Sequence, residues 1–302
     1  MKALTEVCGK AIAVRGRIIR IGRIDGDKFK FLDDPETLIA GMRKSDTRID
    51  LFTFMQGLPA SSPKYSYPME WDNLAVLSVS TFEQWWNERL GFKARNKAKQ
   101  AEKKKVVIRE VPFDDNLVRG IWEIYNETPV RQGRPFPHYG KSIESVRAMS
   151  ATFLDSSVFI GAYLGEELIG FIKLTMDDSG TQAGILHIVS MIKHRDTAPT
   201  NALVAQAVRS CASRKIPYLV YSNFAYGKKQ TSSLSDFKER NGFERVNLPR
   251  YYVPLTPLGW LTLKLGLHRQ LADYLPEAVL SKALEFRDSW YNRKFPVRTQ
   301  DS

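Results

Sequence analysis

Apolar positions in the first eighty residues recur at short periods. Ile12, Val14, Ile18, Ile19 and Ile21 fall among Arg and Gly between Ala11 and Ile24, which reads as strand material. Asp25-Gly-Asp is a turn signal, and Lys28–Leu32 alternates as a returning strand. Asp34-Pro35-Glu36 predicts a helix start, with the acid as N-cap and Pro at the first helical position. Ile49–Phe54 predicts a strand, Leu58–Pro68 a Ser- and Pro-rich loop, and Leu74–Val79 a further strand.

Beyond this point the period lengthens. Ser80 or Thr81 caps a helix predicted to run to about Lys105, its first half carrying Phe82, Trp85, Trp86 and Leu90 along one stripe. A strand Val106–Val111, a helix Asn116–Tyr125 and a helix Ser142–Phe153 follow, the helices separated by the Pro- and Gly-rich stretch Glu127–Lys141. From Ser157 the pattern is a meander: Val158–Leu164, a Gly165-Glu166 hairpin signal, Glu167–Met176, then Ala183–Ile192. The loop Lys193–Thr200 leads into a helix with Leu203, Val204, Ala207, Val208 and Cys211 on its apolar face. A strand Pro217–Phe224, a helix Ser233–Arg240 stopped by Asn241-Gly242, and a strand region Phe243–Pro254 complete the pattern.

Composition narrows the function classes. The 302 residues hold 45 Lys and Arg against 33 Asp and Glu, a net charge of +12. Much of the surplus sits in Lys93–Lys105, with seven basic residues and one acid. Such a run draws phosphate groups or forms a solvated helix face. Two cysteines exclude a disulfide framework or a Cys-based zinc site, and four scattered histidines argue against a metal cluster. The absence of a long apolar run and of a signal-peptide core predicts a cytoplasmic protein. Gly140-Lys141-Ser142 lacks the upstream Gly of a P-loop, because position 135 is Pro. No dinucleotide fingerprint and no nucleophile elbow is present.

The order of elements from Val106 to Leu255 resembles the GNAT acyltransferase fold. Gly165-Glu-Glu-Leu-Ile-Gly-Phe-Ile-Lys-Leu174 looks like that family's G-x-x-I/V-G hairpin, and Asp236-Phe-Lys-Glu-Arg-Asn-Gly-Phe243 like the end of its last helix. Trp85 to Arg109, with its basic segment, is similar to the helix that enters the second GNAT-like half of Fem-type aminoacyl transferases. The resemblance implies an α/β (α+β) protein with a GNAT-like mixed sheet flanked by helices. Its regions would be a reduced first half over 1–80, a GNAT-like domain over 81–255 and a helical tail over 256–302. The long helical arm of some Fem-type enzymes has no counterpart here.

Acyl transfer to an amine needs a donor held by its phosphates, a base for the amine and an acid for the leaving group. The resemblance places the donor loop at Arg195-Asp-Thr-Ala-Pro-Thr200, where Ala198 and Thr200 replace the family's glycines and Pro199 has no N–H. Lys193, His194 and Arg195 would add positive charge, and Asn201, Ala202 and Leu203 would present backbone N–H groups. Tyr226 falls where the family often places the acid that protonates a leaving thiolate. His187 on its apolar strand reads as a core histidine or as the base. His138 and Tyr139 lie in the segment that shapes the acceptor pocket, and Arg131 and Arg134 there would suit an acidic acceptor.

The leading expectation is therefore an N-acyltransferase with acyl-CoA (acetyl-CoA) as co-substrate, an amine acceptor and no metal. The alternatives are transfer from aminoacyl-tRNA, with Lys93–Lys105 on the RNA, or a non-catalytic binding protein on the same fold. The tail, with Trp260, Leu261, Leu263, Leu265 and Leu267 among Lys264, His268 and Arg269, either packs back on the domain or meets a membrane surface.

Overall fold

The computed structural model describes residues 2–27, 30–32, 34–131, 133–225 and 232–269. The chain opens with an antiparallel meander, β1 (Lys2–Val7), β2 (Lys10–Arg15) and β3 (Ile21–Ile24). The Asp34 carboxylate accepts the Thr37 N–H and starts α1 (Pro35–Lys44), which buries Leu38, Ile39 and Met42. That helix is the crossover allowing β4 (Leu51–Met55) to lie parallel to β3. After a loop comes β5 (Met69–Ser78).

Thr81 caps α2 (Phe82–Gln84), which widens into a π-turn over Trp85–Arg89. α3 (Phe92–Lys103), β6 (Val107–Val111) and α4 (Asp115–Asn126) follow, then a short hairpin of β7 (Val130–Arg131) and β8 (Arg134–Pro135). α5 (Ile143–Ser150) leads to the meander β9 (Ser157–Leu164), β10 (Glu167–Met176) and β11 (Gln182–Ser190). The chain closes with α6 (Pro199–Ser213), β12 (Tyr218–Val220), α7 (Ser233–Arg240), β13 (Glu244–Pro254) and α8 (Pro257–Lys264).

Eleven strands form one sheet in the order β1-β2-β3-β4-β13-β5-β12-β11-β10-β9-β6. The motif antiparallel hairpin, helix, parallel strand occurs twice: β2, β3, α1 and β4, then β10, β11, α6 and β12. The strand that ends each repeat crosses to the other. β5 pairs with β12, β13 pairs with β4, and the two run antiparallel side by side with Asn73 opposite Asn247. One face of the second repeat carries α6 and α3, with Leu203 and Val208 of α6 packed with Ile172, Leu174 and Ile185 of the sheet. The opposite face carries α4 and α5 over Phe159, Leu168, Phe171 and Met191.

Three local expectations are corrected, and one strand goes beyond them. The helix read as continuous from Ser80 or Thr81 to about Lys105 is two helices. It breaks at Leu90-Gly91, where Gly91 donates to Arg240 O at 2.9 Å and a Cβ at Gly91 would sit 3.0 Å from that oxygen. Trp85 Nε1 donates to Asn241 O at 2.9 Å beside it, so docking on the end of α7 overrides helix continuity. Residues 30–32 form no strand, although Lys28–Leu32 alternates; positions 28 and 29 lie outside the described residues. The strand read at Pro217–Phe224 is three residues long, because the chain after Val220 turns to bond β5. β1, a polar-rich edge strand, was not expected from its pattern.

A buried cation anchors the exchanged strands. Arg250 of β13 donates Nη1 to Asp27 (2.8 Å) and Nε to Asp72 of β5 (2.9 Å). Burial alone would lower its pKa, but the carboxylates of Asp27 and Asp72 outweigh burial and raise it. Arg250→Met strands two carboxylates in the interior and lowers the unfolding free energy by about 3–5 kcal/mol. Adding Asp27→Asn and Asp72→Asn restores part of that loss; urea unfolding of the single and triple variants measures both.

Candidate active site

β11 and β12 share only three residue pairs, Gln182–Gly184 against Tyr218–Val220. The chain beyond β12 is drawn to β5, with Tyr221 N–H donating to Ala75 O and Ala75 N–H to Ser222 O, each at 2.8 Å. β11 runs on to Ser190 paired with β10 alone, so among the described residues no strand covers its other edge from Ile185 onward. A bulge at Leu186 shifts the register between Lys173–His187 and Leu174–Ile185 and bends the strand there. The unpaired edge of β11, from Ile185 to Ser190, makes an opening in the sheet's hydrogen-bond ladder that leads to the loop before α6.

That start is built without a side-chain cap. Ala198 sits in left-handed backbone (φ 53°), and Pro199 takes the first helical position. The first-turn N–H groups of Thr200 and Asn201 have no acceptor within the helix, whereas Ala202 N–H makes its first backbone bond, to Ala198 O. Leu203 is fully buried and serves the core instead. Upstream, the loop amides are already engaged: the Glu127 carboxylate accepts from Ile192 N–H (2.7 Å), Lys193 N–H (2.8 Å) and Arg131 Nη2 (3.0 Å). Lys193 Nζ donates to Glu167 Oε1 at 2.5 Å, and His194 Nε2 lies 2.9 Å from Glu167 Oε2. The hydrogen bond from Lys193 holds the Glu167 carboxyl below its usual range, and the same bond raises the Lys193 ammonium. Arg195 is exposed, while Asp196 accepts from Gln100 Nε2 at its carbonyl and pairs with Lys104 at its carboxylate.

α3 thus reaches the opening. Its Ala94, Ala98 and Ala101 form a small-residue face that packs closely on α6. Lys93, Lys97, Lys99, Lys103, Lys104 and Lys105 are left exposed on the outside.

On the sheet's other face, residues 49 apart in sequence meet. The His138 ring stacks on Tyr125 (centroids 4.5 Å, 19°), stands edge-on to Phe136 (5.2 Å) and lies 6.0 Å from His187. His138 Nδ1 is buried without a hydrogen-bond partner. Burial, reinforced by His138 and Lys173, pushes the His187 imidazole down to about 4. Burial and Lys141 lower His138 too. Two neutral imidazoles therefore stand together at neutral pH, the form that accepts a proton.

The remaining candidates have other surroundings. Arg131 donates to Ser190 O (2.6 Å), Ile124 O (2.8 Å) and Glu127, and stacks on Phe136, so it ties the 130–135 hairpin to the end of β11. Arg134 and Tyr139 are exposed. Tyr226 lies outside the described residues. The segment leading to it is held by β5, with Asn223 Nδ2 donating to Asp72 and Ala225 N–H to Asn73 Oδ1, both at 2.8 Å. Sequence reading missed Glu127 and Lys173. Glu127 had a signal, since an acid ending a helix opposes the helix dipole and needs a partner. Lys173, fully buried mid-strand, donates Nζ to Ser150 O (2.7 Å) and to Thr152 O where α5 ends; burial lowers it to about 8. Among the described residues no group of three or more His, Cys, Asp or Glu is placed to hold a metal ion, and no helix is long and apolar enough to cross a membrane.

No family model matches the chain, and no curated protein is similar to it in sequence. Solved structures are. L-PGS from Bacillus licheniformis aligns with a TM-score of 0.56 at 12% identity, covering 87% of each chain. The C-terminal domain of a protein named as a lysylphosphatidylglycerol synthetase, from Agrobacterium fabrum, aligns at 0.53 and 12%, again over 87% of each. FemX aligns at 0.53 and 10%, over 86% of this chain and 89% of its own. The fold is the GNAT-like mixed sheet flanked by helices that the sequence led us to expect, with similarity to a Fem-type protein.

Between pH 4 and 6.5 the unfolded chain binds a proton at His187 that the folded chain refuses. Stability conferred by the neutral ring is therefore present near pH 7 and falls as pH drops through that window, by roughly 3 kcal/mol in full. Histidine NMR, assigned with His187→Phe, is expected to show one ring titrating near pH 4; a His187 midpoint near 6.5 contradicts the buried pair.

Proposed function

We propose that the chain is an aminoacyl transferase that takes its aminoacyl group from tRNA and delivers it to an amine. The observation that carries this reading is the state of the donor loop. Within that loop the Arg195, Thr197 and Ala198 amides are turned onto the carbonyls of Ile192, His194 and Arg195, and Pro199 offers none. The positive charge at the opening comes instead from an exposed row of lysines on α3, long enough to track a phosphate backbone. The domain named as that of a lysylphosphatidylglycerol synthetase, whose fold matches, bears a name that gives a lysyl-carrying product.

The chemistry balances as aminolysis of an ester. The acceptor amine attacks the aminoacyl carbonyl, the C–N bond forms, and the C–O bond to the terminal ribose breaks. A neutral imidazole of the His138–His187 pair takes the amine proton. The ribose hydroxyl takes a proton as it leaves, a role Tyr226 fits by its place after β12. Exposed Arg134 and Tyr139 bound the acceptor side.

An acyl-CoA donor, acetyl-CoA included, is the second reading. It is favoured by the unpartnered first-turn amides of Thr200 and Asn201, with exposed Arg195 nearby.

Filter binding with aminoacyl-tRNA, uncharged tRNA and acetyl-CoA separates the two. With about four phosphate contacts, tRNA affinity falls about 100-fold between 50 and 200 mM salt, and K97Q/K99Q/K103Q/K105Q flattens most of that slope. Saturable acetyl-CoA binding without tRNA binding establishes the second reading and rejects the first.

A further inference from the structure

α8 is inside out. It turns Gly259 and Thr262 to the sheet and leaves Trp260 (56% exposed), Leu261 (45%), Leu265 (58%) and Leu267 (53%) in solvent. The inward face has no room for larger residues, because a Cβ on Gly259 would meet Asp50 O at 1.7 Å. A helix that serves only the core shows the reverse pattern. Leu258 and Leu263 are half-buried on the sheet side, while Trp260, Leu265 and Leu267 leave most of their surface outside the fold.

The same end of the sheet carries a second exposed element. The Asp50 carboxylate accepts from Thr256 Oγ1 (2.8 Å) at the start of α8, and from Arg20 N–H (2.9 Å) at the end of the β2–β3 loop. Leu255 N–H also donates to Asp50 O (2.9 Å), so one buried residue fixes α8 and that loop together. The loop presents Ile18, 80% exposed, between exposed Arg17 and Arg20. Lys264 is exposed on α8, with its Nζ over the Trp260 ring. Among the described residues, the carboxylate of Asp50 is paired with Arg48, and that of Glu70 with Arg269. The surface is thus apolar at its centre and basic at its margin.

We propose that α8 and the β2–β3 loop form a docking surface for an anionic lipid bilayer, with Trp260, Leu261, Leu265, Leu267 and Ile18 entering the headgroup boundary and Arg17, Arg20 and Lys264 meeting lipid phosphates. A Trp and several Leu flanked by cations are the side chains that partition into this boundary. Charge complementarity selects the bilayer over a second copy of this chain, since pairing two such faces would bring their basic margins together. The inference is independent of the reaction assigned above.

The full chain is sedimented with vesicles of phosphatidylcholine alone, or with about 30% phosphatidylglycerol added. Binding is expected to the anionic vesicles only and to weaken with salt. Trp260→Ser with Leu261→Ser lowers partitioning at least tenfold while leaving the thermal unfolding midpoint in place, because both side chains are exposed. Arg17→Gln with Arg20→Gln lowers it by about fivefold per residue. Trp260→Phe keeps the affinity but removes the quenching of that residue's fluorescence by brominated lipid chains. No binding to anionic vesicles, or binding unchanged by the Trp260→Ser/Leu261→Ser variant, overturns the proposal. So does a wild-type dimer in analytical ultracentrifugation that this variant converts to monomer, since a second copy would then cover the face.

Discussion

The exchange of β5 and β13 between the two repeats is the constraint on which the rest of the structure depends. A parallel pair such as β11 and β12 ordinarily continues for as long as both strands last. Here β12 also borders β5, and the chain beyond Val220 follows β5 through the Tyr221, Ala75 and Ser222 backbone bonds. β11 loses its neighbour after three pairs, and the sheet opens where α6 begins. The borrowed strands are held in place by groups that are costly to leave unpaired. Arg250 bridges Asp27 and Asp72, Asp72 also holds Asn223, and Asn73 holds the Ala225 amide. The hydrogen bonds that close the centre of the sheet therefore also fix the segment approaching the opening.

The two sides of the opening carry different chemistry, and one short network joins them. On the α4 side stand two neutral imidazoles among aromatic rings, an environment that withholds charge. On the α6 side stands a concentration of cations, from α3 to Arg195. Arg131 and Glu127 tie them, since Arg131 binds the carbonyl of Ser190 and Glu127 binds both Arg131 and the loop amides. In the reaction we propose, an uncharged base and a negatively charged carrier would thereby be kept on opposite faces of one strand. That separation suits a reaction in which the donor arm and the acceptor amine approach from different sides.

Much of this fold was legible because local chemistry and final structure agree. The Asp34 cap, the amphipathic stripe of α4, the Gly165-Glu166 hairpin and the Asn241-Gly242 stop all appear where their residues place them. Illegible features came from contacts distant in sequence. Nothing near Gly91 announces that Arg240 will end the helix there, and no local signal tells β5 to pair with β13 rather than with its own repeat. At the site, His138 and His187 could be chosen singly, but their edge-to-face meeting depends on the segment after a hairpin folding back over α4. Arg131, read as an acceptor ligand, has both Nη groups engaged within the protein. Lys173 was hidden by an apolar strand, although a lone Lys in such a run marks a charge with a private acceptor, here the last carbonyls around α5.

The central claim is that a phosphate-bearing carrier docks at the opening between α3 and the start of α6. Amide hydrogen exchange, followed with and without aminoacyl-tRNA, tests it most directly. The account predicts slowed exchange at Thr200 and Asn201 and along residues 93–105, with the β1–β3 meander unchanged. Protection confined to other surfaces, or none at the first turn of α6, contradicts it.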